Sequence, residues 1–442
     1  MTANNYDSPA KNERPGVLGW SALTENIASL FRLSLYRNAI FLMLNSAMYG
    51  LTGFFFWILA ARLYSPAVVG LASSVISSIG LLSLLSTLGL DYGLLRFLPT
   101  AGELTADMIN TCFTIVGIIT LLTSVVYVAG LSIWAPALLP IRNNLLYFIS
   151  FVVFALANSL QLLNNQCFIA ARQSRFAMIQ GWIIAWLRFL PLVLLATAYP
   201  QFGIVAAWGL CVVLSVTIAI NFFHPIAYPG NRPIFTIKKD VINRLLHFSF
   251  ANYVGNIFWM LPSLILPIMV VNRLGAEQNA YFYVSWATFS MVYGIPMAIS
   301  LSLLAEASHD EAKLVLEMKR SLKLIFLLLT PVVIALLFLS RTFLQFFGKA
   351  YSDNALQLLW ILVVSAIPMS LNFVYITVRQ VEKKMASVIF LSGLLTLSIL
   401  VSSFFLLPAM GIKGAGLGVL ASQSMAALFT IPYLWRRLYQ RV

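Results

Sequence analysis

Twelve apolar runs of roughly 20 residues follow one another between residues 39 and 434, and they limit the possible folds more than any other feature. Each run is long enough to cross the ~30 Å hydrocarbon core of a bilayer as an α-helix. Of the 442 residues, 60% are hydrophobic and only 10% are charged, and a soluble domain of this size could not bury so much apolar surface. The sequence therefore predicts an all-α polytopic membrane protein with twelve transmembrane helices.

The basic residues predict which side of the membrane each loop faces. With the N-terminus inside, 21 of the 28 Lys and Arg residues fall in the N-terminal arm, the even-numbered links and the C-terminal tail, and six fall on the other side. This bias follows the positive-inside rule, so both termini are predicted to be cytoplasmic. The net charge of +14 is thus a topology signal and an attraction to membrane lipids, and no nucleic-acid partner is expected.

Residues 1–36 are predicted to form a cytoplasmic N-terminal arm. They are polar and mixed, without the short apolar core and small-residue site of a cleavable signal peptide. Several apolar residues fall at helical spacing: Trp20, Leu23, Ile27, Leu30, Phe31 and Leu35. We expect an amphipathic helix that lies on the inner membrane surface, with docking of a partner protein as the alternative.

Three short matches between the two halves of the chain indicate an internal duplication. They pair "RLYSPAVVG" (62–70) with "RLGAEQNAY" (273–281), Asn165 and Arg172-Gln173 with Asn372 and Arg379-Gln380, and "PQFGIVAA" (200–207) with "PAMGIKGA" (408–415), at offsets of 211, 207 and 208. Six spans is an even number, so the two halves have the same orientation and are related by an axis along the membrane normal. We predict an N-lobe at 37–223 (helices 1–6), a cytoplasmic linker at 224–246, and a C-lobe with a short tail at 247–442 (helices 7–12).

The sequence also resembles a known family. The residues that carry the likeness are "ARLYSPAVVGLAS" (61–73), "LSTLGLDYGLLRFLP" (85–99), "NRLGAEQNAYFYVSWA" (272–287), "LLAEASHD" (303–310) and "AMGIKGAGLGVLASQ" (409–423). They resemble the polysaccharide-transporter branch, with its Wzx-type oligosaccharide flippases, of the multidrug/oligosaccharidyl-lipid/polysaccharide exporter superfamily. One departure is Asn272-Arg273, where family members often carry Asp-Arg, so a role for that acid is in doubt.

The resemblance implies a V-shaped two-lobe fold and translocation of an isoprenoid-pyrophosphate-linked glycan across the plasma (inner) membrane by alternating access. It also implies other polysaccharide-assembly proteins as potential partners. A cation-coupled multidrug exporter of the same superfamily is the alternative, and a non-transporting scaffold or glycan-assembly enzyme is a further one. Metalloprotease, hydrolase and nucleotide-binding motifs are absent from the sequence, so no catalytic residue, metal or cofactor is expected.

Arg188 is the best single candidate for a substrate-binding residue, because it lies in the middle of an apolar span. A central arginine costs about 2.5–3.5 kcal/mol on insertion scales. Helical geometry places Gly181 and Ala185 on its side and Trp182 and Trp186 on the other. The duplication places Leu395 or Thr396 at the matching position of the C-lobe, so the fold does not require a cation there. Pairing with polar groups inside the lobe is the structural alternative.

Two further groups of candidates are weaker. Ser73, Ser74, Ser77 and Ser78 lie on or beside one face of the second span, where they indicate either helix–helix packing or a cavity for sugar hydroxyls. Six residues near the cytoplasmic ends of spans are candidates for a gate or a headgroup contact: Asp91, Arg96, Asn165, Arg172, Asn372 and Arg379. For Asp91 with Arg96 the simpler interpretation is a local ion pair, and for Arg172 and Arg379 it is an anchor at a helix end.

Overall fold

The computed structural model describes residues 34–310 and 313–439. Apart from its last residues, the N-terminal arm with its predicted amphipathic helix lies outside this part of the chain. The described residues contain helices and no β-strand, which confirms the predicted all-α class.

Within the described part of the chain, twelve helices are long and apolar enough to cross a membrane, and this confirms the predicted number. In chain order they are α1 (Ser34–Leu63), α2 (Pro66–Ser86), α3 (Thr105–Ala129), α4 (Leu145–Ala170), α5 (in two parts, Ser174–Leu187 and Phe189–Ala198), α6 (Gly203–Ile218, continued by turns to residue 227), α7 (Lys239–Leu274), α8 (Ala276–His309), α9 (Leu314–Gln345), α10 (Lys349–Val381), α11 (Met385–Met410) and α12 (Ile412–Tyr439). We call the side on which α1 begins the inner side, which is predicted to be cytoplasmic, and the opposite side the outer side.

The helices pack in the same pattern in both halves of the chain. In the first half α1 packs against α5, α4 against α2, α3 and α6, and α5 against α6. In the second half α7 packs against α11, α10 against α8, α9 and α12, and α11 against α12. This repeated pattern is a two-lobe arrangement. The lobe boundaries at 223 and 246 stay predictions; α7 begins at Lys239, inside the predicted linker.

The lobes align through α4 and α10 at a different register from the one that the sequence match indicated. Arg172 and Lys383 each follow the end of their helix in a left-handed conformation, with φ of 55° and 59°. Each donates its amide to the carbonyl three residues before it, on Ile169 and Gln380. The offset is therefore 211 and not 207, and the predicted pairing of Arg172 with Arg379 is wrong by one helical turn.

The same register changes the partner of Arg188. α5 and α11 begin 211 residues apart, so Arg188 corresponds to Ile399 and not to Leu395 or Thr396. The offset falls to 208 at the match of Pro200 with Pro408. It is smaller there because four residues, 199–202, join α5 to α6, whereas a single residue joins α11 to α12. The conclusion that the C-lobe has no cation at this position is unchanged.

The lobes meet mainly where α2 packs between α7 and α8. At the outer end of this interface Gly70 of α2 lies so close to α8 that a Cβ atom would overlap the backbone carbonyl of Ala276. Only glycine allows two helix backbones to approach so closely. The outer ends of the two lobes are therefore joined in this conformation.

Gly70→Ala is expected to destabilise the protein by about 1–3 kcal/mol, because the added methyl group overpacks a backbone contact. Gly50→Ala is the control, because Gly50 lies on α1 with no atom near its would-be Cβ, and the helix propensity of alanine there favours folding by up to about 1 kcal/mol. Thermal melting of the purified protein in detergent measures both. Equal melting temperatures for the two variants would contradict the close contact.

Candidate functional site

Arg188 lies at the break between the two parts of α5. The first part ends at Leu187 and the second begins at Phe189. Pro191 explains the break, since proline has no N–H to donate to the carbonyl of Leu187, four residues before it. Gly181 and Ala185 are buried as predicted and Trp186 is 55% exposed, whereas Trp182 is half-buried. The structure thus agrees with the predicted orientation for Gly181, Ala185 and Trp186, whereas Trp182, with its indole N–H buried, does not face outward as predicted.

The guanidinium of Arg188 is held against α1. Its Nη2 donates to Oγ1 of Thr52 over 3.3 Å, and its central carbon lies 4.6 Å from the ring centroid of Phe56 and 5.6 Å from that of Tyr49. The arginine is only 4% exposed, and its Nε has no hydrogen-bond partner. Across residues 34–310 and 313–439, none of the ion pairs found includes Arg188.

This environment leaves the positive charge poorly compensated. A hydrogen bond to a neutral hydroxyl contributes about 0.5–1.5 kcal/mol, and a cation–π contact contributes about 0.5–2 kcal/mol. A buried charge without a counter-ion costs several kcal/mol. The site therefore has unused capacity to bind an anion, which is the property that a substrate-binding cation needs.

The matching place in the C-lobe is a cavity. It has a volume of about 60 Å³, enough for one or a few water molecules, and its lining includes Ile399 and Ser263, which correspond to Arg188 and Thr52. Around them stand aromatic rings, among them Trp259 and Trp286. In the N-lobe the arginine side chain fills this place, so the two lobes share a fold but differ in charge at their centres.

Arg188 also lies near the interface between the lobes. Tyr283 of α8, on the C-lobe side, is close enough to the guanidinium for an electrostatic interaction. The Tyr283 ring contacts Trp57 of α1, with 4.6 Å between the ring centroids. Tyr49 is 39% exposed although its ring lies against the arginine. Movement of α1 relative to α8 would thus change the access to Arg188.

The serine face of α2 forms the contact between the lobes. Nδ2 of Asn279, on α8, lies 2.7–2.9 Å from the carbonyl of Gly70 and from the hydroxyls of Ser73 and Ser74. Ser74 lies 3.2 Å from the carbonyl of Pro267 on α7 as well. These contacts favour the packing interpretation of the serines, and a role of theirs in binding sugar would require the lobes to separate.

The other two serines are also buried. Ser78 shares a hydrogen bond of 2.8 Å with the hydroxyl of Tyr127 on α3, and Ser77 is 5% exposed. Substrate binding by these serines stays a prediction.

Two more residues join the outer ends of the lobes, and sequence reasoning did not assign this role to them. Arg62, at the end of α1, donates to the carbonyls of Gln345 and Phe346 at the end of α9. Asn272 donates to the carbonyl of Trp134 and accepts from the amide of Ala137. An aspartate could not donate to that carbonyl, so the departure from the family's Asp-Arg pair was the signal for this contact. We call the contacts of Arg62, Asn272 and Asn279 the outer contact.

Asn279→Leu removes the amide that bridges the lobes while keeping the side-chain volume. The lost hydrogen bonds are worth about 1–3 kcal/mol in sum, so we expect the population with separated outer ends to rise by about tenfold. Electron–electron resonance distances between spin labels at Ala67 and Glu277 measure this population. Asn354→Leu is the control, because its amide bonds only within α10. An unchanged distance distribution for Asn279→Leu would show that the amide does not hold the lobes together.

Asp91 and Arg96 lie on the short helix Leu90–Phe97 that follows α2 at the inner side. Five positions along a helix place the two side chains about 140° apart, which disfavours the predicted ion pair between them. Oδ1 of Asp91 is buried without a hydrogen-bond partner, and burial raises the pKa of this carboxyl to about 6, against the backbone hydrogen bonds that lower it. Arg96 is exposed.

Because the pKa of Asp91 is higher in the folded protein than its ordinary value of 3.8, the folded state binds the proton more tightly. Stability is then expected to fall as the pH rises from about 4 to above 6. Asp91→Asn removes this dependence, so the variant should become more stable than the wild type above pH 6 and converge with it below pH 4. Melting temperatures across this range measure the effect, with the exposed Asp353→Asn as control. A gap that does not vary with pH would contradict the raised pKa.

The remaining inner-side candidates are divided between the lobes. Asn165 has a buried Oδ1 without a hydrogen-bond partner near the end of α4, and Arg172 follows that helix. Asn372 is buried between α10 and α12, where it donates to Oε1 of Gln423 and accepts from Thr430. A gate or headgroup role for these residues stays a prediction.

Arg379 belongs to a network centred on Glu382, between α10 and α11. This carboxylate accepts hydrogen bonds from Arg379, Tyr433 and Arg437 at 2.7–3.0 Å. Burial would raise the pKa of Glu382, but these hydrogen bonds and the neighbouring charge of Arg437 lower it to about 2. The network favours a structural role for Arg379, in which it helps to hold α10 and α12 together through Glu382.

The family model described as "Polysaccharide biosynthesis protein" matches residues 35–309, which is more than half of the chain. The chain belongs to this polysaccharide biosynthesis family. The match covers α1 to α8. It therefore includes Arg188 and the part of the outer contact that Asn279 of α8 makes with α2. No curated protein sequence matches the chain.

Solved structures share the fold over nearly the whole chain. The lipid II flippase MurJ in an inward closed conformation has a TM-score of 0.72 at 12% identity, with 90% of each chain covered. An inward-facing multidrug resistance transporter of the MATE family in the MOP superfamily has a TM-score of 0.68 at 13% identity, covering 88% of this chain and 94% of that one. An outward-facing structure from the same family and superfamily has a TM-score of 0.63 at 14% identity, covering 92% and 97%. These likenesses confirm the predicted fold of twelve helices in two lobes.

Proposed function

We propose that this membrane protein is a flippase that moves a lipid-pyrophosphate-linked oligosaccharide, or a related glycolipid, across the plasma (inner) membrane for cell-surface polysaccharide biosynthesis. Family membership supports the process, and the fold, shared with a lipid II flippase and with multidrug transporters, supports transport as opposed to catalysis. The observation that carries the substrate class is Arg188, a buried cation at the centre of one lobe for which the described residues provide no counter-ion.

The proposed cycle follows from the contacts at the two sides. With the outer contact closed, the substrate enters from the inner side and its pyrophosphate binds Arg188 after α1 and Tyr49 move away from the guanidinium. An anion there supplies the charge compensation that the site lacks, so binding is strongest at the centre of the protein. The lipid tail stays in the bilayer. Breaking the outer contact, which consists of a few hydrogen bonds, then opens the other side.

A cation-coupled multidrug exporter of the same fold is the second candidate. Coupling to a proton or a sodium ion generally requires a carboxylate inside a lobe. In the described spans the acidic residues lie near the helix ends, as Asp107, Glu277, Glu306, Glu317 and Asp353 do, and the centre of the N-lobe carries a cation. This charge distribution favours an anionic substrate.

Arg188→Ala is expected to abolish export of the lipid-linked precursor while the protein stays inserted, because removal of a buried charge does not oppose insertion. Arg188→Lys should restore part of the activity, since it keeps the charge but loses the planar bidentate donors. The measurement is the amount of finished precursor on the outer leaflet of cells that carry each variant. Arg320→Ala, at an exposed arginine paired with Glu317, is the control.

Normal export by Arg188→Ala would contradict the role of Arg188. If deletion of the gene stops precursor synthesis, instead of trapping finished precursor on the inner leaflet, the flippase assignment is contradicted. Loss of drug resistance with normal precursor export would support the second candidate.

A further inference from the structure

The segment between the lobes crosses the flank of the N-lobe as an extended strap, which we define as residues 231–238. Backbone groups of the strap are bound by polar side chains of α3. Asn110 donates to the carbonyl of Arg232 over 2.9 Å and accepts from the amide of Ile234. Thr114 and Thr111 accept from the amides of Thr236 and Lys238. The strap is therefore fixed to α3 by its backbone, and its side chains are left for other contacts.

A groove lies beneath the strap. Its volume is about 320 Å³, in the range of sites that bind small molecules. The lining is mostly apolar and comes from α3, α4, the end of α6 and the strap, with Phe113, Leu121, Leu156, Ile220 and Phe235 among its side chains. Phe235 is 93% exposed, so the strap presents an aromatic ring to the surroundings of the protein.

The length of the groove fits one leaflet of the bilayer. Along α3 it extends from Ile109, near the inner end, to Leu121, which is about 18 Å at 1.5 Å per residue. Half of the hydrocarbon core is about 15 Å thick. Gly117 forms part of the floor, where a Cβ would make only ordinary contact with Leu156. A single hydrocarbon chain of the inner leaflet therefore fits this groove in length.

Polar groups lie at the start of the strap, beside the inner end of α3, where Asn231 lines the groove and Arg232 follows it in sequence without being a lining residue. Oδ1 of Asn231 is buried and has no hydrogen-bond partner, so it can accept from a hydroxyl group. The next residue, Arg232, is exposed and can bind a phosphate. A phosphate that bears a hydroxylated group matches this pair of an acceptor and a cation.

We infer that the groove beneath the strap binds one phospholipid of the inner leaflet, with a phosphatidylglycerol-type headgroup at Asn231 and Arg232 and an acyl chain along α3. None of the lining residues comes from α1, α2, α7 or α8, through which the lobes meet. The site is thus separate from Arg188, and it does not depend on the proposed transport function. The bound lipid would stabilise the strap, which is part of the segment that joins the N-lobe to α7.

The test is native mass spectrometry of the full chain released from nanodiscs of phosphatidylcholine that contain a minor fraction of phosphatidylglycerol or of phosphatidylethanolamine. The wild type is expected to retain one phosphatidylglycerol in preference to the other two lipids. Gly117→Phe, which fills the groove, should lower this retention by about tenfold or more. Arg232→Gln should lower the preference for phosphatidylglycerol over phosphatidylethanolamine. Leu122→Phe is the matched control, since Leu122 is 62% exposed on the same helix and does not line the groove.

Equal retention by the wild type and Gly117→Phe would overturn the site, and equal retention of the three lipids would overturn the headgroup. Since Gly117→Phe could fail to fold, a benzophenone side chain at Phe235 gives a second measurement in an otherwise unchanged chain. Its expected photoproduct is a phospholipid adduct. A crosslink to residues 1–33, or to an isoprenoid lipid, would assign the groove to another occupant and overturn the proposal.

Discussion

The close approach of α2 and α8 at Gly70 is the contact on which the rest of the molecule depends. It brings the backbone of one lobe against the backbone of the other, and the amide of Asn279 then reaches three acceptors on α2 at once. Arg62 and Asn272 reach their carbonyl partners only because the outer ends are already together. With these ends joined, α1 lies next to α8, and the aromatic side chains of both helices cover Arg188. A hydrogen-bonded interface of this kind can open, because each of its contacts is worth only about 1 kcal/mol.

Arg188 is costly for stability. A cation in the middle of a membrane span is favourable only if polar or anionic groups surround it. The protein provides one hydroxyl and two aromatic rings, and leaves Nε without an acceptor. The C-lobe carries Ile399 at the same place and packs without any charge. The fold therefore tolerates an apolar residue at this position, and the proposed role of Arg188 in substrate binding would account for the cost of the arginine.

The sequence was sufficient for the features that the bilayer imposes. Every span must be helical and about as long as the hydrocarbon core is thick, so hydropathy predicted twelve helices, and the 100° rotation per residue predicted the small neighbours of Arg188. The predicted alignment of the lobes was partly wrong. The loop at 199–202 is longer than its counterpart between α11 and α12, so the residue offset between matching helices changes along the chain although the helices themselves match. The ion pair of Asp91 with Arg96 is disfavoured by the angle of about 140° between their two positions on one helix. Asn279 lies in residues 272–287, one of the stretches that resemble the family. Its partners depend on which face of α8 meets α2, and hydropathy does not reveal that face.

The cavity at Ile399 has a consequence for how a substrate is held. Two lobes of one architecture carry different electrostatics: one has a charge at its centre and the other has a small void with aromatic walls. Under the proposed cycle, an anion bound at Arg188 would lie away from the pseudo-twofold axis and would move with the N-lobe when the lobes rotate. The C-lobe would then move relative to the ligand, so the two halves of the duplicated chain would have different roles in transport.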